Sequence, residues 1–402
     1  MSDDPTPTGA LDGIRVLDAG QLVQGPQCAL SLAELGADVI KLELPMIGDL
    51  ARWIPIGEDD PRGAYFEGCN RGKRSVTVDM RTDRGKEVLT RLVAGSDVLI
   101  TNFKSGTMEA WGLGYEELSA INPRLVYAAG STFGTAGPGA GREGADLAGQ
   151  AAGGLISSTG VDGGLPSPVG ATIADHIGSQ NMVNGILAAL LARQRTGRGQ
   201  RVDVSLLGGQ IYAQASEYTA YLLSGRVPGR SALGHPLLRM FYGIVPTADG
   251  WLAIIGVSPP QRPLFFELIG RPGLAEDQRF APLLMSEEAH VELFSVFHEV
   301  FPTRTTAEWS DLLAGIDVRY APVNDYAAAA ADPTVLANGY LVDLPGADGE
   351  HVRVVGSPIG LSHTPAVPSA IAPTLGEHTD EVLAELGYSP DEIAELRAIG
   401  AI

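Results

Sequence analysis

The feature that most constrains the fold is an alternation of strand-like and helical segments that starts near Leu11. The run IRVLDAG indicates a strand, and QGPQCALSLAELG indicates a helix with Pro26 in its first turn. DVIKLEL then indicates a second strand, which completes a β-α-β unit. Strands joined through a helix in this way pair in parallel, and helices cover both faces of parallel sheets. The pattern therefore predicts an α/β domain built on a parallel sheet.

The same alternation continues along the chain. A helix is predicted from about Thr82, a strand in DVLITNF, a short helix near YEELSAINP and a strand in RLVYAAG. Apolar residues recur at helical spacing in DHIGSQNMVNGILAALLARQRTGRGQ, and the strand-like RVDVSLL follows. A second helical stretch, GGQIYAQASEYTAYLLSG, comes after it. These units are expected to extend the parallel sheet and its helical layers.

The composition shifts at Gly225, where RVPGRSALGHPLLRM predicts a linker. Beyond it, Asp249 and Gly250 join two strand-like runs and predict a hairpin. Helical patterns follow, and the last helix of the chain is predicted to begin with Ser389 as its N-cap. The segment that follows the linker is therefore expected to form a second, smaller domain.

Charge and cysteine content argue against several classes of function. The chain has 402 residues, with 28 lysines and arginines against 48 acidic residues, and its net charge of -20 argues against nucleic acid as a partner. Cys28 and Cys69 are too few for a disulfide framework. No His, Cys or carboxylate cluster has the spacing of metal ligands, so no metal is expected.

The sequence shows no targeting or membrane signal. The first ten residues, MSDDPTPTGA, are acidic and polar, unlike a signal or transit peptide. No apolar run approaches the roughly 20 residues that span a bilayer. The low cysteine content fits a reducing compartment. These features predict a soluble, cytoplasmic protein with no membrane partner.

Five segments, in this order, resemble the signatures of one known family. They are LDGIRVLDAGQLVQGPQCALSLAELGADVIKLE, NRGKRSVTVDMRTDRGKEVLTRLVAGSDVLITNF, WGLGYEELSAINPRLVYAAGSTFG, RTGRGQRVDVSLL and LGEHTDEVLAELGYSPDEIAELRAIGAI. The family is the class III (family III, CaiB/BaiF-type) coenzyme A transferases, and the resemblance covers nearly the whole chain. It implies an enzyme that moves CoA from an acyl-CoA thioester to a free carboxylic acid, with acyl-CoA and small carboxylates as its partners.

For the fold, the resemblance implies a large Rossmann-like, CoA-binding α/β domain with a parallel sheet and a smaller α+β domain. Residues 1–224 are assigned to the large domain, which a C-terminal return over 332–402 completes. Residues 225–331 are assigned to the small domain with its flanking linkers. Two chains of this family thread through each other, so an interlocked homodimer is expected.

Asp175, in ATIADHIGSQN, is the candidate nucleophile. On the pattern alone a helix-capping role competes with a catalytic one, because aspartate is common at helix starts. In the family, the catalytic aspartate lies just ahead of a long helix and after a run of small residues, and Asp175 matches that place. The resemblance implies that its carboxylate attacks the thioester and forms a covalent aspartyl intermediate.

Asp146, in GREGADLAGQAAGG, is the second candidate catalytic residue. Relatives carry Glu or Asp here near the active site, which implies that Asp146 orients the nucleophile or polarises a substrate; a capping carboxylate is the alternative. α-Methylacyl-CoA racemases share the fold but place a histidine directly before this position, where this chain has Ala145. His176 is not where those relatives place it. A racemase and a non-catalytic CoA-binding protein are the two alternatives.

Coenzyme A requires cations for its phosphates and a flat apolar slot for its adenine. The densest basic run, NRGKRS, places Arg71, Lys73 and Arg74 together, and these are the predicted phosphate contacts. The resemblance adds two contact regions at a helix N-terminus and a strand end, where open α/β sheets bind anions and ligands. These regions comprise Val23, Gln24 and Gly25 in the first strand-to-helix turn, and Asn102, Phe103 and Lys104 after a later strand.

Overall fold

The computed structural model describes residues 9–231, 233–346 and 349–402. Residues 1–8, most of the segment in which no targeting signal is predicted, lie outside the described residues. The strands are β1 (Arg15–Asp18), β2 (Asp38–Glu43), β3 (Pro55–Gly57), β4 (Asp60–Gly63), β5 (Arg74–Thr77), β6 (Val98–Thr101), β7 (Val126–Ser131), β8 (Arg201–Ser205), β9 (Gly243–Pro246), β10 (Trp251–Gly256), β11 (Arg319–Pro322), β12 (Leu341–Pro345) and β13 (His351–Val355).

The α-helices occur between and after these strands. They are α1 (Gln24–Glu34), α2 (Ala64–Cys69), α3 (Asp83–Ala94), α4 (Thr107–Ala110), α5 (Tyr115–Ile121), α6 (Asp146–Ala152), α7 (Leu155–Ser158), α8 (Ile173–Thr196), α9 (Leu206–Ala213), α10 (Ala215–Ser224), α11 (Arg262–Leu268), α12 (Glu287–Val300), α13 (Thr306–Ala314), α14 (Tyr326–Ala331), α15 (Pro333–Ala337), α16 (Thr379–Glu385) and α17 (Pro390–Ala398). None of the helices in the described part of the chain is long and apolar enough to cross a membrane.

The chain divides into two compact units. The first, the sheet unit, comprises Met1–Gly154, Val169–Ala213 and Pro333–Ile402. The second, the hairpin unit, comprises Leu155–Pro168 and Gln214–Asp332. Each unit has a hydrophobic core of its own.

A parallel sheet organises the sheet unit. Its strands lie in the order β5-β2-β1-β6-β7-β8, and every neighbouring pair is parallel. From β1 the chain adds strands toward the edge at β5. It then returns to the centre at β6 and adds strands toward the edge at β8, as in doubly wound Rossmann-like folds. The predicted α/β fold is confirmed.

Helices cover both faces of this sheet because successive strand residues point in opposite directions. On β1, Leu17 belongs to the core beneath α3, α5, α16 and α17, whereas Val16 belongs to the core beneath α1 and α8. Both side chains have no exposed surface. Burial of each such side chain contributes about 1.5–3 kcal/mol. Because these strands are apolar at nearly every position, their side chains contribute to the hydrophobic cores on both faces of the sheet.

Several local predictions are confirmed at the helix ends. Thr82 caps α3 by accepting a hydrogen bond from the Gly85 N–H group at 3.0 Å. Ser389 and Glu392 form a reciprocal capping box at the start of α17. The helical stretch predicted after β8 is divided into α9 and α10, with Gln214 between them.

The hairpin unit is built on an antiparallel sheet in the order β11-β10-β9. The predicted hairpin is present, because Asp249 and Gly250 lie between β9 and β10. Aromatic side chains from α11, α12 and their flanking loops fill its core, including Phe241, Phe265 and Phe297. The mixed strand and helix content agrees with the predicted α+β character.

Candidate active site

A crevice lies at the carboxyl edge of the sheet between β1 and β6, where the order of the strands reverses. Ligands of open α/β sheets bind at such a switch point because the loops on either side diverge. Asn102 directly follows β6 and joins the two sides. Its Oδ1 accepts from the Gln21 N–H group at 2.7 Å, and its Nδ2 donates to the Gln21 carbonyl at 2.9 Å. The turn after β1 is thereby fixed to the end of β6.

The predicted residues of the first turn lie beside Asn102. Val23 and Gln24 are buried, with Val23 at the N-cap of α1. A Cβ atom on Gly25 would lie 3.0 Å from the Gly20 Cα and 3.4 Å from Asn102 Oδ1. Glycine therefore allows the start of α1 to approach the crevice. The first N–H groups of a helix have no partner within the helix, which makes this end suitable for an anion.

An apolar groove of about 240 Å³ adjoins the crevice. Phe103 and Trp111 lie edge to face in it, with ring centroids 5.3 Å apart. Arg81 lines the groove, pairs with Asp79 at 2.8 Å and keeps about half of its side chain exposed. An apolar slot with a cation beside it is the combination that a nucleotide requires. The remaining lining residues are Gln21, Leu42, Leu44, Ile47, Gly48, Leu50, Val78, Asp79 and Met80.

Lys104 is the predicted cation that keeps the most exposed surface. Its side chain is 45% exposed, and its ammonium lies 3.6 Å from the largely exposed Glu143. A long ion pair in solvent contributes little free energy, so Lys104 can turn toward another anion. Phe103 and Lys104 also line a narrow cleft with Tyr127 and Arg201 at the carboxyl edge of the sheet.

Lys73 has a different environment from the one that the sequence suggests. Its side chain has no exposed surface, and its ammonium donates to Asp18 at 2.7 Å, to the Pro26 carbonyl at 2.8 Å and to Asn70 at 2.9 Å. An ammonium group has three donors. Because all three are used within the protein, Lys73 is not available to a phosphate, and we leave it out of the proposed CoA site.

Arg71 and Arg74 are also paired inside the sheet unit. Arg71 is buried and binds Glu34 at 3.0 Å. Arg74, the first residue of β5, binds Asp38 and Glu385 at distances of 2.6–3.0 Å. The structure therefore does not bring these three cations together on one surface. Each of them joins β5, or the turn before it, to a neighbouring element.

The two candidate catalytic aspartates lie side by side. Asp146 Oδ1 accepts from the Ala174 N–H group at 2.7 Å and from the Asp175 N–H group at 3.2 Å. Thr172, at the N-cap of α8, makes no capping bond with its side chain. Asp146 therefore caps α8 from a neighbouring helix, and it fixes the backbone of Asp175 in the first turn.

Gln150 holds Asp146 in this orientation. Its Nε2 donates to Asp146 Oδ2 at 2.6 Å and to the Ala171 carbonyl at 3.3 Å. Its Oε1 accepts from the Val169 N–H group at 3.0 Å. The side chain is buried, so these bonds are shielded from water. Gln150 thus ties α6 to the segment that leads into α8.

The electrostatic environment of Asp175 favours chemistry at neutral pH. Burial, together with the nearby negative charge of Asp146, raises the pKa of Asp175 to about 7. A partly buried acid with a strongly shifted pKa and a specific charge partner is typical of catalytic groups. The helix N-terminus acts in the opposite direction, because its dipole favours the carboxylate. Asp175 is therefore ionised at mildly alkaline pH but poorly solvated.

His176, next to Asp175 in the sequence, lines a separate cavity, although the charge of Asp146 acts on it. It lines a cavity of about 380 Å³ together with Gln180 on α8, Gln27 on α1 and Tyr65 on α2. Burial lowers the pKa of His176, so its imidazole is neutral at neutral pH. Successive helical residues are about 100° apart around the axis, which places His176 on a different side of α8 from Asp175.

Two residues of this site were not predicted from the sequence. Gln150 was missed because a buried glutamine has no local signal, and its partners lie up to 21 residues away. Arg81 was missed because it lies beyond the basic run; its place in an Asp-x-Arg sequence directly after a β-branched stretch was the available signal.

Comparison with known proteins places the chain in a family. The model of the family described as CoA-transferase family III matches residues 11–379. The chain is 37% identical to the succinate--glutarate CoA-transferase of Agrobacterium fabrum, over 96% of this chain and 98% of that one. It is also 37% identical to the succinyl-CoA:mesaconate CoA-transferase of Haloarcula hispanica, over 94% of this chain and 97% of that one.

A solved structure shows the same similarity. The CAIB/BAIF family protein of Brucella suis superimposes with a TM-score of 0.85 at 36% identity, over 94% of this chain and all of that one. A family match across most of the sequence and relatives above 30% identity along nearly their whole length lead to one assignment: the chain belongs to CoA-transferase family III.

Proposed function

We propose that this CoA-transferase uses Asp175 as its nucleophile. The observation that carries the proposal is the first turn of α8, where Asp175 is fixed by Asp146 and has a pKa of about 7. The family transfers CoA between an acyl-CoA thioester and a carboxylate, a reaction that needs an enzyme group able to hold an acyl bond. The carboxylate of Asp175 is such a group.

The reaction on Asp175 is balanced without a net proton. A carboxylate oxygen of Asp175 attacks the thioester carbon and forms a C–O bond; the C–S bond then breaks, which gives a mixed anhydride on Asp175 and free CoA thiolate. The thiolate then attacks the Asp175 carbonyl and expels the donor acid, which leaves an aspartyl-CoA thioester. The acceptor carboxylate repeats both steps in reverse order, so acyl-CoA departs and the Asp175 carboxylate is restored.

Asp146 and Gln150 act as positioning residues in this proposal. Both oxygens of Asp146 accept hydrogen bonds from neighbouring groups, which leaves this carboxylate poorly placed to attack a thioester. Its negative charge raises the pKa of Asp175 and so makes Asp175 a more basic nucleophile.

For the substrate acids, we propose dicarboxylates of four or five carbons. The two relatives described above are named for succinate and glutarate and for succinyl-CoA and mesaconate. Each of these acids keeps a second carboxylate after it has formed a thioester. Succinyl-CoA is therefore the first donor to test, and the named dicarboxylates are the first acceptors.

For coenzyme A, we propose that the adenine occupies the groove lined by Phe103 and Trp111, with Lys104 on a phosphate. The apolar lining and the weakly paired Lys104 support this placement. Lys104→Met is expected to raise the KM for acyl-CoA about tenfold with little change in kcat, since one charge-assisted contact contributes 1.5–3 kcal/mol at most. Initial rates at several salt concentrations measure the effect.

The matched control for this variant is Lys86→Met on α3, which removes a lysine outside the groove. It should leave the KM unchanged. The dependence of KM on salt should also weaken in Lys104→Met, because one ionic contact is lost. An unchanged KM in Lys104→Met would remove this lysine from the proposed site.

Proton uptake by Asp175 is expected to set the acid limb of the pH profile. Because attack requires the carboxylate and the pKa of Asp175 is about 7, kcat/KM should fall about tenfold per pH unit below that value. Asp146→Asn removes a negative charge but keeps an oxygen that can cap α8. The pKa of Asp175 should decrease, so the acid limb should move to lower pH. The measurement is kcat/KM from roughly pH 5 to pH 9.

Glu143→Gln provides the control for charge. Glu143 lies three residues before Asp146, in the loop that leads into α6. Its side chain is largely exposed, so water screens the effect of its charge on the pKa of Asp175. The acid limb should therefore keep its position in this variant. Equal shifts in both variants would mean that the local charge of Asp146 does not act on Asp175.

Mass spectrometry tests the nucleophile directly. After incubation of the protein with succinyl-CoA in the absence of an acceptor, peptide mapping should find a CoA or succinyl adduct on the peptide that contains Asp175. The adduct should be absent in Asp175→Ala and present in Asp162→Ala, which replaces an exposed aspartate. An adduct on a different residue, or one that persists in Asp175→Ala, would overturn the assignment.

We further propose the homodimer that the family resemblance implies, together with a CoA-binding domain over 1–224 and 332–402 and a small domain over 225–331. Large apolar side chains that a single chain leaves exposed support the dimer; they include Met46, Tyr212 and Leu223. Light scattering should give twice the mass of one chain. The mass of a single chain would contradict the dimer.

A further inference from the structure

Gln24 carries a buried hydrogen-bond donor that the free protein does not use. Its side chain is 3% exposed, and its Nε2 has no acceptor within the described ranges of the chain. A buried amide donor without a partner costs about 1–3 kcal/mol. Most buried polar groups are paired, so an exception of this kind indicates a partner that is absent from the free protein.

Two glycines from different elements leave the space that this carboxamide occupies. A Cβ atom at Gly130, near the end of β7, would overlap Gln24 Oε1. A Cβ atom at Gly178, on α8, would lie 2.7 Å from Gln24 Nε2. The carboxamide therefore packs closely against the backbone of Gly130 on one side and of Gly178 on the other. Its position is determined by the fold rather than by a hydrogen bond of its own Nε2 group.

This position lies over the turn of α8 that holds Asp175. Gly178 is three residues after Asp175 in the helix. Helical side chains lean toward the N-terminus, so a side chain at position 178 would cover the turn that precedes it. Gln24 occupies the place of that missing side chain. Ser179, in the same turn, also has a buried hydroxyl without a partner in the part of the chain that the structure describes.

We propose that Gln24 is a catalytic hydrogen-bond donor, whose Nε2–H group binds the carbonyl oxygen of the acyl group formed on Asp175. The inference rests on the proposed role of Asp175 as the nucleophile. When thiolate or carboxylate attacks this carbonyl carbon, one bond to carbon forms and the π electron pair moves to the oxygen. The oxygen then carries a full negative charge until the leaving group departs. Gln24 stabilises that charge without giving up its proton.

The placement explains why a donor would be kept unpaired. Before the reaction, the nearest acceptor of this kind does not yet exist, because the carbonyl arises only when Asp175 becomes acylated. A donor that is already fixed in a water-poor site stabilises an oxyanion more than a solvated donor does. Loss of one such donor typically lowers kcat by about 10²–10³-fold.

The test uses Gln24→Met, which keeps the shape of the side chain and removes the donor. We expect kcat to fall about 100-fold, with the KM for succinyl-CoA changed by less than about threefold. Rapid-quench mass spectrometry in the absence of acceptor should show formation of the CoA thioester on Asp175 slowed by the same factor. The midpoint of urea unfolding should stay the same or rise, since an unpaired polar group is removed.

Gln27→Met is the matched control. It replaces the glutamine one turn further along α1 and should leave kcat and the rate of adduct formation unchanged. A CoA thioester on Asp175 that forms at the native rate in Gln24→Met would overturn the role of Gln24 and leave the nucleophile in place. Parallel losses of activity and stability in Gln24→Met would assign Gln24 to packing and also overturn it. No adduct on Asp175 in the native protein would overturn both proposals.

Discussion

Asp175→Asn is expected to lower the rate of CoA transfer by about 10⁴-fold or more. Asparagine has nearly the shape of aspartate, but its amide does not form the anhydride or the CoA thioester on which every later step depends. The caps of α8 involve the backbone of Asp175 and the side chain of Asp146, so they persist in this variant. Steady-state assays with succinyl-CoA and an acceptor dicarboxylate measure the loss.

The same variant is expected to be more stable than the native protein at alkaline pH. Burial and the charge of Asp146 raise the pKa of Asp175 from 3.8 to about 7, so the folded state disfavours the carboxylate. Each pKa unit corresponds to about 1.4 kcal/mol. The advantage of asparagine should be greatest above pH 7, decrease as the native folded state binds its proton, and disappear near pH 4. Urea unfolding at fixed protein concentration measures it.

Asp18→Asn is expected to change stability in the opposite direction and serves as the comparison for Asp175→Asn. Burial alone would raise the pKa of Asp18, but Lys41 and Lys73 lower it below its ordinary value. The carboxylate of Asp18 is therefore favoured by folding, and its loss should destabilise the protein at alkaline pH. If Asp175→Asn keeps activity within tenfold, Asp175 is not the nucleophile. If it destabilises the fold as Asp18→Asn does, Asp175 is a structural carboxylate.

The fold was largely predictable because its signals are local. Each strand and helix of the first β-α-β unit occurs where hydrophobic periodicity and Pro26 indicate it. Within the parallel sheet, the strand that was not predicted is β5, which begins at Arg74 inside the basic run. The β-branched sequence SVTV indicated a strand there. The three cations of this run were interpreted as phosphate contacts, but in the structure they pair with neighbouring elements.

The candidate site was predictable only in part because its contacts are not local. Asp146 and Asp175 were both identified, but the sequence could not show that one caps the helix of the other across 29 residues. The donor of Gln24 could not be recognised as unpaired without the positions of Gly130 and Gly178. Pairing is a property of tertiary structure, and residue type alone does not reveal it.

Lys73→Met is expected to destabilise the protein by about 3–5 kcal/mol. The variant leaves Asp18, which has no exposed surface, with one fewer cation; Lys41 remains 3.6 Å from it. It also removes the hydrogen bonds to Asn70 and the Pro26 carbonyl. A loss of this size is a large part of the 5–15 kcal/mol that stabilises a typical domain. Urea unfolding at fixed protein concentration measures it.

Arg84→Met is the control for Lys73→Met, because Arg84 and Glu87 form an exposed pair on α3 that contributes about 0.5 kcal/mol or less. A double-mutant cycle that combines Lys73→Met with Asp18→Asn then measures the interaction between Lys73 and Asp18. Once Asp18 is neutral, loss of Lys73 no longer leaves a buried charge underpaired, so the double variant should lose less stability than the two single variants together. Full additivity, or a loss in Lys73→Met no larger than in Arg84→Met, would contradict a structural role. In that case Lys73 would again be a candidate for binding phosphate.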